Sequence, residues 1–402
     1  MRVLVLAGKR LQNEVLWKNG ESIMLACRPP MGWNTWNTFG EEINEKLLME
    51  SADALVLLGY KDVGYEYIVI DDCWSEHKRD SSGRLVPDRK KFPNGMKALG
   101  DYIHSKGLKF GIYSCAGVET CAGYPGSYGY EFIDAATFAE WGVDFLKYDF
   151  CFFPEAGDCK QAYRTMSAAL RACGREILFS ACNWGEEDPA KWMRSIGAHM
   201  YRSTYDVHDN FKSISMRVSP QLDNMFASAP GCFNDFDMLV VGMHGKGNVG
   251  IGGCSGEEYK MQFGLWSFFG VPLMIGSDIR NISEADRALM QNRNLIALNQ
   301  DGECRPPYEI RHQKYLYPND VHVFARLLSD NRYAIAFLNL RDKEIKLPVF
   351  MHDMGFPTIS GKALKITDAF TGEEEGIFRD CFYQNVPPHE IRLYIAEVVD
   401  AV

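Results

Sequence analysis

The chain reads as an α/β protein, a (β/α)8 TIM barrel followed by a C-terminal antiparallel β-sandwich domain, and three observations predict this. Between residues 30 and 300, short apolar runs alternate with amphipathic stretches, the pattern of parallel strands joined by crossover helices. Eight such runs can be counted, the number that closes a barrel. After Asn299-Gln300-Asp301-Gly302 the pattern changes to short alternating strands separated by turn signals, which is sandwich grammar.

The barrel strands are expected at 30–36, 65–74, 108–114, 144–151, 176–184, 200–206, 232–239 and 272–278. Helices are expected between them at 44–58, 95–106, 132–141, 159–173, 209–222, 257–269 and 283–295. Each strand ends in polar residues. The first ends near Trp33, Asn34 and Trp36, the second in Asp71-Asp72-Cys73-Trp74 and the third near Tyr113. The fourth supplies Lys147 and Asp149, the fifth Cys182-Asn183-Trp184, the sixth Arg202 and Asp206, the seventh Asp235 and Asp237, and the eighth Asp278. In a barrel these positions converge on the C-terminal rim, where active sites are built. Sandwich strands are expected at 314–317, 321–328, 332–339, 344–348, 364–368, 383–386 and 391–397. The resulting division is an N-terminal extension over 1–27, a catalytic barrel over 28–305 and a sandwich over 306–402.

Composition narrows the partners. A net charge of −10 argues against nucleic acid, whose phosphates need clustered Lys and Arg. No stretch approaches the roughly 18 to 20 apolar residues of a membrane span, so no membrane partner is expected. The apolar run over residues 3–7 is broken by Gly8-Lys9-Arg10, short of the roughly 7 to 15 residues of a signal-peptide core. A cytoplasmic protein is therefore expected. The twelve Cys lie singly, without C-x-x-C spacing, so neither a zinc framework nor a small disulfide scaffold is indicated. A neutral, polar substrate fits this balance. Aromatic residues at 13% supply rings that suit sugars as well as cores.

Lys147 and Asp149 stand at i and i+2 on one strand and share a face. A carboxylate beside an ammonium stays ionised, which a carboxylate nucleophile needs; a structural ion pair is the other reading. Asp206, two strands further on, faces Asp149 across the mouth of the barrel. Two carboxylates in opposed environments are the apparatus of glycoside hydrolysis: Asp149 attacks the anomeric carbon, while Asp206, with a raised pKa, protonates the leaving oxygen. Asp206 paired with Arg202, or capping a helix, is the alternative. Asp71-Asp72 lacks a third carboxylate at ligand spacing, and no phosphate-cradling Gly-rich loop occurs, so no metal or other cofactor is expected. Two carboxylates accept hydrogen bonds from two sugar hydroxyls and penalise an epimer that misplaces one.

In order along the chain stand Pro30-Met31-Gly32-Trp33-Asn34, Asp71-Asp72-Cys73-Trp74, Gly111-Ile112-Tyr113, Thr120-Cys121-Ala122-Gly123-Tyr124-Pro125-Gly126-Ser127, Trp141-Gly142-Val143-Asp144, Lys147-Tyr148-Asp149, Asp235-Phe236-Asp237-Met238 and Ala297-Leu298-Asn299-Gln300-Asp301. With these motifs the chain resembles glycoside hydrolase family 27, the α-galactosidases and α-N-acetylgalactosaminidases, over about residues 28–301 and more loosely beyond. The resemblance implies a retaining mechanism, with Asp149 as nucleophile and Asp206 as acid/base. It implies that Trp33, Asp71, Asp72, Tyr113, Lys147 and Arg202 hold a terminal galactose, with Asp237 nearby. The substrate it implies is a galactose-containing oligosaccharide or glycoconjugate.

At the sugar 2-position the family divides, and the segment concerned here is Ser180-Ala181-Cys182-Asn183-Trp184-Gly185. Asn183 can bond a 2-hydroxyl, which favours galactose; Gly185 leaves space, which keeps an N-acetyl group open. A sugar-binding protein with a decayed site is a third reading, opposed by the retention of both carboxylates. Cys121 and Cys151 match a pair that is bridged in secreted relatives. The partner expected for Cys73 is absent, with Phe39-Gly40 in its place, so Cys73 is expected to be a free thiol, in keeping with an intracellular enzyme. The Gly-rich loop 242–256 reads as a substrate wall or as the interface of a homo-oligomer.

Overall fold

A computed structural model describes residues 25–221, 224–310 and 320–401 of the chain. The expected strand at 314–317 and nearly all of the 1–27 extension lie outside the described residues. Eight parallel strands form the first body: β1 Met31–Asn34, β2 Tyr67–Val69, β3 Lys109–Cys115, β4 Phe145–Asp149, β5 Leu178–Cys182, β6 Met200–Arg202, β7 Phe233–Asp235 and β8 Leu273–Ile275. They run in the order β7-β6-β5-β4-β3-β2-β1-β8. The ring closes beyond β7, where Leu239 N–H donates to Met274 O at 2.8 Å and Leu239 O accepts from Gly276 N–H at 2.9 Å. This is the (β/α)8 barrel expected from the eight runs.

Strand alternation separates two environments. Tyr67, Val69, Phe145, Leu178, Met200 and Met274 point inward and pack together at the lower levels of the barrel, while Ile68, Leu146, Phe179 and Tyr201 point outward under the helices. A barrel this narrow must mix large and small inward residues. Gly111 is one of the small ones: a Cβ there would lie 2.7 Å from Val69 Cγ2 and 3.2 Å from Phe145 Cβ. Apart from β3, which keeps its expected length, the strands are shorter than their apolar runs suggest, because the polar residues that follow turn out of the sheet into the loops.

Two expected helices are broken. The stretch 283–295 is Glu284–Met290 and Arg293–Asn299, because Asn292 accepts from the N–H groups of Asn294 and Leu295 and so starts a new helix. The stretch 209–222 is Phe211–Ser215 and Val218–Gln221, since Pro220 has no N–H with which to continue the first.

The second body is the antiparallel sandwich. One sheet has the order β14-β13-β16-β11-β10-β9, comprising β9 Tyr308–Glu309, β10 Val321–Leu327, β11 Tyr333–Asn339, β13 Lys362–Asp368, β14 Glu374–Phe378 and β16 Glu390–Asp400. Facing it are β12 Ile345–Phe350 and β15 Cys381–Val386. The sequence reading missed β9, which is two residues long, and β14, whose Glu374-Glu375-Gly376 lacks β-propensity. In β11, Ile335 and Phe337 enter the sandwich core, while Ala334, Ala336 and Leu338 join the core of the barrel. One sheet thus serves two cores, and the helix Gly256–Phe269 lies against it at β16, where Gly264 faces Leu393 and Ile391.

Candidate active site

At the C-terminal rim the strand ends surround a small cavity of about 40 Å³ that opens to solvent. Asp71, Asp72, Tyr113, Lys147, Asp149, Arg202, Asp206 and Asp237 all line it. Adjacent residues register: Tyr113 lies beside Lys147, Lys147 beside Ser180, and Cys182 beside Arg202. Tyr113 and Lys147 therefore stand in register with Ser180, and Arg202 two residues further toward the strand ends with Cys182.

Asp149 is buried at the end of β4. Its Oδ2 accepts from the Tyr113 hydroxyl at 3.1 Å, and its Oδ1 from the Phe150 N–H at 2.9 Å. The expected ion pair with Lys147 does not form; Lys147 Nζ instead donates to Asp71 Oδ2 at 2.8 Å. Residues i and i+2 stand roughly 7 Å apart along a strand, whereas Asp71 reaches the ammonium from beyond β2. Burial, opposed by Lys147 and reinforced by the charges of Asp206 and Asp71, pushes the Asp149 carboxyl up to about 6.

Asp206 has the opposite environment from the one its expected role called for. Its side chain is 58% exposed, and Oδ1 accepts from Arg202 Nη2 at 2.6 Å. Burial pushes this carboxyl up, but Arg202, Lys147 and Arg217 outweigh it and hold Asp206 below the usual carboxylate range. Arg202 Nη1 reaches Asp237 Oδ1 at 2.9 Å, so one guanidinium spans two carboxylates. Asp237 carries φ 82°, a strained value for a residue with a side chain, and Trp266 Nε1 fixes its carbonyl at 2.7 Å.

Asp71 and Asp72 are already partly engaged. Asp71 Oδ2 takes a second bond from Asn34 Nδ2 at 2.7 Å, and Asp72 Oδ2 accepts from the Ala122 N–H at 3.0 Å. Burial raises the Asp72 carboxyl, against the N–H bonds of Ala122 and Cys73 that stabilise its charge. Cys121 and Cys151 are bridged. Sγ of Cys121 lies 3.7 Å from Asp149 Oδ2, and Cys73 is a buried free thiol.

Two expected contacts are corrected. Trp33 is 0% exposed, packs on Phe39 in the outer core and donates through Nε1 to Ser277 O at 2.8 Å. It is absent from the cavity lining, where Trp36 stands instead. The parity of β1 turns Trp33 away, since Gly32 and Asn34 share the inner side and Trp33 the other, whereas Trp36 lies beyond the strand at the start of the short helix Trp36–Phe39. The glycine at 32, a gap inside a narrow barrel, was the signal for that face: a Cβ there would lie 2.7 Å from Tyr67 Cβ. Asn183 also stays out of the lining. It is buried, its Nδ2 donates to the Glu186 carbonyl, and it shapes the turn 183–186. At Gly185 a Cβ would lie 2.7 Å from Ser203 O, so the glycine serves the close approach of two backbones.

The loop 242–256 contributes a wall through Val249. Asp209, buried, organises that loop: it accepts from Gly245 N–H at 2.7 Å, Cys254 N–H at 3.1 Å and the Tyr259 hydroxyl at 2.9 Å. Neither Asp209 nor Arg217, considered below, stood out in the sequence, because each acts on backbone from a helix start or a helix break. Among the described residues, Cys121, Asp149 and Cys151 form a group close enough to share a cation. A bridged sulfur pair offers no thiolate to such an ion.

An eight-stranded α/β barrel with paired carboxylates at its C-terminal mouth is an arrangement that glycoside hydrolases use, and the family matches place the chain among them. Residues 28–301 match the family described as Alpha galactosidase A, and residues 318–396 match the Alpha galactosidase C-terminal beta sandwich domain. The chain belongs to this family, glycoside hydrolase family 27. It is 40% identical over 373 residues to an alpha-galactosidase of Cyamopsis tetragonoloba, covering 92% of this chain and 86% of that one. The crystal structure of alpha-galactosidase I from Mortierella vinacea superposes with a TM-score of 0.85 at 34% identity, covering 92% of this chain and 97% of that one. An α-galactosidase of Saccharomyces cerevisiae, solved with raffinose, superposes at 0.84 with 27% identity, covering 93% and 98%. No helix among the described residues is long and apolar enough to cross a membrane.

Proposed function

We propose that the chain is a retaining exo-α-galactosidase that releases terminal non-reducing α-linked galactose from oligosaccharides or glycoconjugates through a covalent galactosyl-Asp149 intermediate. The observation that carries the reading is the pair Asp149 and Asp206 lining one cavity from β4 and from beyond β6. Asp149 forms a bond to the anomeric carbon as the glycosidic C–O bond breaks, and Asp206 gives its proton to the departing oxygen. Asp206, now ionised, takes a proton from water; the water oxygen bonds the anomeric carbon and Asp149 leaves as carboxylate. Asp71, Asp72, Lys147, Arg202 and Asp237 hold the sugar hydroxyls, and the part expected of Trp33 in holding the galactose passes to Trp36. The chemistry belongs to the span 28–305 and the packing support to 306–402.

Galactose is favoured over N-acetylgalactosamine, in keeping with a relative named alpha-galactosidase that is 40% identical over most of this chain. Comparing turnover of the two nitrophenyl glycosides tests this, and a preference for the N-acetyl sugar overturns it. For the mechanism, Asp149→Ala is expected to lose several orders of magnitude in kcat. NMR of the product as it forms should show α-galactose first; first-formed β-galactose rules out retention.

A further inference from the structure

We propose that Arg217 is a positioning residue for the reaction, fixing the segment 205–208 that carries the Asp206 carboxyl and adding its charge to the field around it. The inference rests on the acid/base reading of Asp206. Strand β6 ends at Arg202, so no sheet bonds hold Asp206. Side chains hold the segment one residue at a time. The Tyr205 carbonyl accepts from Arg217 Nη2 at 2.7 Å, and the Asp206 carboxylate accepts from Arg202. Val207 N–H donates to Asp237 Oδ2 at 2.6 Å, and His208 N–H to Ser213 Oγ at 2.9 Å. Arg217 Nη1 also donates to Ser213, at both its carbonyl and its Oγ, so this one guanidinium ties the two ends of the segment together.

Its own situation is costly. Arg217 is buried, and its Nε has no hydrogen-bond partner among the described residues. A buried cation whose hydrogen bonds go to a hydroxyl and to carbonyls instead of a carboxylate leaves its charge available to the field of the site. The groups facing Asp206 are Arg202 on β6, Lys147 and Asp149 on β4, Cys182 on β5 and Arg217 itself. Arg202 is shared with Asp237, and Lys147 is bonded to Asp71. Arg217 has no such carboxylate bond among the described residues.

The test compares an alkyl α-galactoside, whose departing oxygen needs a proton, with a nitrophenyl α-galactoside, whose leaving group does not. In Arg217→Gln, kcat/KM for the alkyl substrate is expected to fall about ten- to a hundredfold, a fraction of the usual general-acid contribution, and for the nitrophenyl substrate less than about threefold. Arg217→Lys keeps the charge but not the fork, so it should show the same split while the acid limb of its pH profile stays in place; in Arg217→Gln that limb moves to higher pH. Equal losses on both substrates in both variants, the signature of a merely structural role, overturn the inference. Asp206→Ala run in parallel separates the two possible failures. If it lacks the split, the acid/base assignment is wrong; if it shows the split and the Arg217 variants do not, only the inference about Arg217 falls.

Discussion

Asp149 sits above and Asp206 below the ordinary carboxylate range, yet the reaction needs Asp149 ionised and Asp206 protonated. In the singly protonated free enzyme the proton rests mainly on Asp149, and the productive form is the minor arrangement with the proton on Asp206. Above about 6 the pair loses this last proton, so kcat/KM is expected to fall through an alkaline limb near pH 6. The acid limb belongs to Asp206 and lies lower. An alkaline limb well above 7, measured on an alkyl galactoside, would contradict this order. Trp33 on β1 and Trp36 at the start of the following helix divide between core and cavity. Trp36→Ala is expected to raise KM with the fold intact, whereas Trp33→Ala should cost about 3 to 5 kcal/mol of stability, the usual loss for a large buried ring, read by denaturant unfolding.

Loops after the strands carry the unusual backbone. Cys73, Phe152, Trp184 and Asp237 all have positive φ, and each follows a barrel strand. Such strain persists only where surroundings over-determine it, as Trp266 does for Asp237. The loop 242–256 has an equivalent anchor in Asp209, whose carboxylate gathers three donors. Asp209→Ala strands those donors, each unmade bond costing about 1 to 3 kcal/mol. The expected result is faster proteolysis within 242–256 and a raised KM, because Val249 loses its place in the cavity wall. An unchanged digestion pattern would remove Asp209 from this role.

Barrel and sandwich are held together by a polar device as well as the shared apolar sheet. Arg326 on β10 is almost wholly buried. It donates to the carbonyls of Phe268 at 2.9 Å and Leu298 at 3.1 Å, which end two barrel helices, and to Arg305 O at 2.8 Å. Asp301 takes the Ser329 N–H at 3.0 Å from the other side. Arg326→Met keeps the volume and uncaps those carbonyls, so stability should fall by about 3 to 5 kcal/mol, as when one member of a buried polar set is removed. Chemical denaturation is expected to show one transition in the parent. In the variant the sandwich should separate first.

The order of elements was legible in the sequence because each barrel strand is an apolar run with a polar end, and that pattern depends only on residue spacing. Asp71, Asp72, Tyr113, Lys147, Asp149, Arg202, Asp206 and Asp237 were legible for the same reason: they stand at strand ends, and a closed barrel brings strand ends together. Strand parity was also written in β1, in Gly32, and was outweighed by the apparent suitability of Trp33. What sequence spacing cannot carry is distance between elements. Lys147 bonds Asp71 instead of Asp149, Arg202 spans Asp206 and Asp237, and Asp209 and Arg217 hold loops from just before a helix and from a helix break. Each of these was decided by the tertiary structure, because charge and hydrogen bonding act over a few ångströms in space, whatever the separation along the chain.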